Sequence, residues 1–168
     1  MCEWLQNCIS EVVIAIISAI VIAIIFFVLK EFVFKIPKLS GTWKFTCNVS
    51  KSSYNPYLEM KYLYLVTLIQ DGNNLSGSGE KIKESKGTEI TKYEPKKRPR
   101  IQIQGHILKR YLRHDIINIH IAEQGRQRDT TMIQELILNR HKELVGTFFS
   151  TAANTSGYAN WEKNNNDN

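Results

Sequence analysis

From Val12 to Leu29 the chain runs through 18 consecutive residues of which only Ser18 is polar. As a helix, a run of that length spans about 27 Å, close to the hydrocarbon thickness of a bilayer. A secretory leader would have a shorter apolar core and a positive start. Here the start carries Glu3 and Glu11 and no Lys or Arg, and no small-residue cleavage site precedes Pro37. The segment therefore reads as one transmembrane α-helix spanning about 12–29. Its flank reaches residue 36, and Phe32, Val33 and Phe34 extend it into the interface. Lys30, Lys35, Lys38 and Lys44 follow the span and no cation precedes it. The positive-inside rule then puts the C-terminal part in the cytoplasm and Trp4 at the opposite interface. Ala15, Ala19 and Ala23, with Ser18 beside them, line one helical face on which a second helix can approach closely.

Residues 37–163 have the length of one domain. Period two governs them. Trp43, Phe45, Cys47 and Val49 alternate with Lys44, Thr46 and Asn48, which makes a strand with one apolar face. A second strand from about Met60 to Gln70 ends in Asp71-Gly72-Asn73-Asn74, a hairpin signal. Leu75 to Lys83 returns, with Gly77 and Gly79 marking a bend or a close approach. Further strands are read at 100–108, 115–122, 130–138, 143–150 and 157–163. Eight antiparallel strands with no helical period between them predict an all-β fold, an eight-stranded up-and-down, lipocalin-like barrel. A two-layer sandwich is the alternative. Residues 164–168 read as a polar, disordered tail.

In an up-and-down barrel alternate loops share an end. The turns near Asp71, Lys109 and Arg140 fall at the end where the linker enters. Two of them are basic (Lys109, Arg110 and Arg113; Arg140, His141 and Lys142), a composition suited to anionic headgroups. Loops 50–59, 84–99, 123–129 and 151–156 share the other end. They bring Tyr54 and Tyr57, then Lys96, Lys97 and Arg98 with Arg100, then Arg126 and Arg128, then Thr151, Asn154 and Thr155. Arg forks hold phosphates, aromatic rings stack on bases, and small polar groups bond to base edges or ribose. A nucleotide-type ligand needs this set, and the net charge of +6 points the same way.

No nucleophile motif, P-loop or dinucleotide fingerprint occurs, and His106, His114, His120 and His141 lack metal spacing. The chain reads as a non-enzyme without catalytic residues, metal or cofactor. Cys47, the one cysteine of the domain, leaves it without an internal disulfide.

One N-terminal span is followed by Ser40-Gly41-Thr42-Trp43, by Gln70-Asp71-Gly72 and by Leu75-Ser76-Gly77. Gly146-Thr147-Phe148 and Thr155-Ser156-Gly157-Tyr158-Ala159-Asn160-Trp161 come later. In this order the chain resembles the membrane-anchored β-barrel effectors of bacterial anti-phage signalling, the CD-NTase-associated, β-strand-rich effectors of CBASS systems. The family label speaks of two transmembrane segments, whereas residues 4–36 allow one. The resemblance implies that a CD-NTase makes a cyclic dinucleotide, that the barrel binds it and that the protein forms a homo-oligomer. The helices then disrupt lipids of the bacterial inner membrane, and the cell dies before phage matures. It implies no nucleic acid polymer as partner. On the residues alone, a membrane-tethered, lipocalin-like carrier or adaptor for a lipid or a protein stays open.

Overall fold

The computed structural model describes residues 2–29, 35–110, 113–125 and 128–164, with backbone alone for 2–10. The positions read as flanking the span (Lys30 and 32–34), the side chain of Trp4, Arg126 and residues 165–168 lie outside the described residues. The chain divides into two compact units, residues 1–37 and 38–168.

Among the described residues the first unit contains one helix, α1 (Cys2–Val28). It starts well before the apolar run. Its stretch Glu11–Val28 has a mean hydropathy of 3.1 and is long and apolar enough to cross a membrane. The large apolar side chains from Val12 to Leu29 are all exposed, as on a helix that lacks a protein core to bury them. Ser18 donates its hydroxyl to the Ile14 carbonyl at 2.8 Å, so its polar group is satisfied inside the helix.

The second unit is a closed barrel. Its strands are β1 (Gly41–Lys51), β2 (Lys61–Asp71), β3 (Asn74–Lys86), β4 (Glu89–Lys92), β5 (Arg100–Leu108), β6 (Ile116–Glu123), β7 (Thr130–Leu138), β8 (Leu144–Ser150) and β9 (Thr155–Lys163). Every pairing is antiparallel. The order runs β2-β1-β9-β8-β7-β6-β5-β3, and pairing of β2 with β3 closes the ring. Eight strands make the wall, as the alternation predicts. The ninth, β4, corrects the reading of 84–99 as a plain loop: β3 continues past the barrel and folds back as a hairpin, with Lys83 opposite Lys92 and Lys86 opposite Glu89.

Inward positions carry the bulk. Phe45 is stacked between Tyr64 (4.4 Å between ring centres) and Trp161 (4.2 Å). Trp43, Leu136, Leu144 and the inward isoleucines of β5 and β6 are buried around them. Gln134 is wholly buried, but its amide is satisfied. It accepts from the Trp161 indole at 2.7 Å and donates to the Met132 sulfur at 3.0 Å. Where the linker enters, Leu39 plugs the barrel end with 1% of its surface exposed. Its carbonyl accepts the Trp43 indole N–H (2.8 Å), and its amide donates to Gln70 Oε1 (2.7 Å). Asn164, read as the start of the tail, donates its amide to Thr42 and so continues the edge of β9.

The glycines of β3 are explained by crowding. A Cβ at Gly79 would collide with the Leu65 carbonyl oxygen and the Val66 side chain, and one at Gly77 with the Thr67 carbonyl.

Candidate functional site

Alternation along each strand decides which groups reach the interior, and at the loop end it brings in charge instead of hydrocarbon. On β6 the inward row is Ile117, Ile119, Ile121 and then Glu123. On β3 it is Leu75, Gly77, Gly79 and then Lys81. A one-residue irregularity follows. Leu63 lies opposite Lys83 and Tyr64 opposite Lys81, so Ile82 is the extra residue. Such a bulge shifts the side-chain phase. Glu84, three residues after Lys81, therefore faces inward as well, opposite the inward Tyr62.

These groups form one buried network. The Lys81 ammonium pairs with Glu123 and, at 3.0 Å, with Glu84. It also lies 4.9 Å from the centre of the Tyr62 ring, a cation–π distance. The Tyr64 hydroxyl donates to the second oxygen of Glu123 at 2.9 Å. Burial by itself would pull the Lys81 pKa down. Glu123 and Glu84 outweigh it, and the pKa lies above its ordinary value of 10.5. Burial first, and then nearby carboxylates, push the Tyr62 and Tyr64 phenols up. Burial first, and then the nearby Glu84, push Tyr93 up to about 12. At neutral pH Lys81 thus keeps its charge and the phenols stay neutral.

Above this network opens a cavity of about 640 Å³. Tyr57, Tyr62, Tyr64 and Tyr93 supply aromatic walls, and Thr130, Met132, Ser150 and Thr155 complete the far side. Lys92, Lys97 and Arg128 line it nearer the loops, together with Glu94. Lys97 pairs with Glu94 at 2.8 Å, with side-chain exposures of 63% and 72%. Glu123 and Glu84 expose only 13% and 21%. The cavity therefore has an acidic floor and a cationic rim. A shallower groove of about 600 Å³ adjoins it through Lys97, Pro99 and Gly125 and is lined further by Lys96, Arg98 and Arg100.

Of the residues singled out by the loop argument, Tyr57, Arg128 and Thr155 line the cavity. Tyr54 stands outside it and packs at 5.9 Å against Tyr57. Arg100 lines the adjoining groove. Thr151 is occupied elsewhere: its hydroxyl accepts the Thr131 amide at 3.0 Å, which extends the β7–β8 pairing beyond Ser150. Asn154 reaches Ser53 at 3.4 Å and has a positive φ of 47°, so it shapes a turn instead of facing the cavity. Arg126 lies outside the described residues. Tyr62, Lys81, Glu84, Tyr93 and Glu123 also line the cavity and are not singled out by the loop sequences. Two of them were legible, because Lys81 and Glu123 each end an inward row. Glu84 was hidden by the bulge, and Tyr93 by the unrecognised β4 hairpin.

At the linker end, Lys109 pairs with Asp115 at 2.9 Å, which offsets one cation of the expected basic turns. Among the described residues no group of three or more His, Cys, Asp or Glu side chains is placed to hold a metal ion.

Compared with protein-family models, with curated proteins and with solved structures, the chain matches none.

Proposed function

We propose that this chain is a membrane-anchored receptor for a cyclic dinucleotide and acts as an effector of CBASS-type anti-phage defence. The observation that carries the reading is the cavity at the loop end of the barrel, which combines tyrosine walls with a rim of Lys92, Lys97 and Arg128. Its volume of about 640 Å³ falls in the range of small-molecule sites, about 300–1,000 Å³. The rim cations meet the phosphates. Tyr57, Tyr62 and Tyr93 stack on the bases. The whole-chain resemblance to β-strand-rich anti-phage effectors supports the same ligand class, and no catalytic step is required of the protein.

In this reading α1 crosses the bacterial inner membrane and the barrel is cytoplasmic. The ligand is the product of a CD-NTase. It drives assembly only if the assembled form binds it more tightly than the monomer. Assembly brings the helices together along Ala15, Ser18, Ala19 and Ala23, and the clustered helices break the bilayer. The alternative is a lipocalin-like carrier or adaptor for a lipid or a protein, and its lipid form needs an apolar space along the barrel axis. The stack of Tyr64, Phe45 and Trp161 and the Leu39 plug fill that space.

The test uses the full-length protein in liposomes loaded with a self-quenched dye. A cyclic dinucleotide from a synthetic panel is expected to release the dye, and Arg128→Ala to release much less at the same ligand concentration. If no member of the panel releases dye or binds to the folded protein, the proposal fails.

A further inference from the structure

Resting on the cyclic-dinucleotide reading, we infer that the barrel mouth takes its ligand base-first and that its carboxylate floor selects guanine. The cavity is electrostatically polar along its depth. Its floor holds Lys81 between Glu84 and Glu123, one positive charge against two negative. Its rim holds Lys92, Lys97 and Arg128 against Glu94, three positive charges against one. A phosphate driven to the floor would meet two carboxylates that expose 13% and 21% of their surface, and the one cation there is already shared between them. At the rim the same phosphate meets net positive charge and water. The anionic part of the ligand therefore stays outside and the base goes in.

The floor offers that base mainly acceptors. Lys81 gives two of its three N–H donors to the carboxylates and lies over the Tyr62 ring. Tyr64 gives its proton to Glu123. Each carboxylate oxygen can accept more than one hydrogen bond, so Glu84, the more exposed of the two, has acceptor capacity directed at the cavity. A base satisfies it best with two adjacent N–H donors on one edge. Guanine has that edge in its N1–H and 2-amino group. Adenine places an acceptor nitrogen beside its amino group, and that nitrogen would be left unpaired against a carboxylate, a costly burial. Tyr57 and Tyr62 form walls beside the same edge, where a purine ring can stack.

The closing experiment measures the affinity of the full-length protein in nanodiscs for three ligands by calorimetry. Cyclic di-GMP has both donors, cyclic di-IMP lacks the 2-amino group, and cyclic di-AMP has the reversed edge. Cyclic di-GMP is expected to bind tightest, with a loss of about tenfold or more to cyclic di-AMP, as one bidentate base contact gives, and cyclic di-IMP in between. Glu84→Gln is expected to remove most of the preference by weakening cyclic di-GMP alone, while cyclic di-AMP binding changes little. Because Glu84 is less buried than Glu123, this variant is the one to use, and a cooperative melting transition certifies its fold. If cyclic di-AMP binds as tightly as cyclic di-GMP or tighter, the floor does not select guanine, although the receptor reading stands. If Glu84→Gln weakens all three ligands equally, the carboxylate acts through structure and the inference is wrong. Binding of none of the three overturns the guanine assignment, and only a failed wider panel overturns the receptor with it.

Discussion

Lys81 carries more consequence than any other side chain in the barrel. It is a buried cation whose charge is held by Glu123 and Glu84. Breaking a buried ion pair by removing one partner costs about 3–5 kcal/mol, because the other charge stays uncompensated. Lys81→Met keeps the length of the side chain and removes the charge, so it should lower the unfolding free energy from guanidinium titration by an amount toward the lower end of that range, since the cavity admits water. A midpoint equal to wild type would show the network to be dispensable. The same groups set the pH response. Lys81 is held above its ordinary 10.5, Tyr62 and Tyr64 above 10.0, and buried Cys47 above 9.0. Each keeps its proton in the folded barrel to higher pH than in the unfolded chain. Their contribution to stability is complete below the ordinary values and is lost as pH rises through the folded ones. Unfolding midpoints measured against pH should be flat with respect to these groups at neutrality and fall progressively above pH 9.0. A midpoint still undiminished above pH 10.5 would contradict the burial of these groups. Lys81 was readable beforehand as the charged end of an inward row.

At the scale of elements, β3 determines how the cavity is built. Its N-terminal half is pressed against β2 at Gly77 and Gly79, and its bulge at Ile82 turns Glu84 inward. Gly79→Ala forces a methyl group into the Leu65 carbonyl and should destabilise the barrel by about 1–3 kcal/mol, the usual cost of overpacking. Equilibrium unfolding checks this, and a neutral result would mean that the two strands are further apart than described. Leu39→Ala empties the plug at the other end and should cost about 2–5 kcal/mol. If the melting transition does not move, the linker residue is not part of the core. The eight wall strands were legible because one face of each is buried and their turns carry Gly, Asn and Asp. The β4 strand was not legible, since all four of its residues are exposed and no alternation marks it. A bulge is likewise invisible in a polar stretch such as Lys81 to Lys86, because phase shows only where burial imposes it.

At the scale of the whole molecule, up-and-down connectivity sorts every loop to one of two ends. The sequence alone therefore divided the loops correctly into a linker-side set and a cavity-side set. It divided side chains within a loop less well. Tyr57 faces the cavity while Tyr54 backs it, and Thr155 faces in while Thr151 bonds to the start of β7. Those choices depend on local turn geometry, which composition does not encode. The ligand proposed for the open end of the barrel is a cyclic dinucleotide. The most direct measurement is thermal unfolding of the full-length protein in detergent against a panel of cyclic dinucleotides, repeated with Arg128→Ala. A ligand that binds only the folded state adds about 2.7 kcal/mol at 100 times its Kd. One cyclic dinucleotide should therefore raise the barrel transition by several degrees, and Arg128→Ala should shift that rise to higher ligand concentration while leaving the unliganded transition in place. A cooperative transition that no cyclic dinucleotide moves would contradict the account.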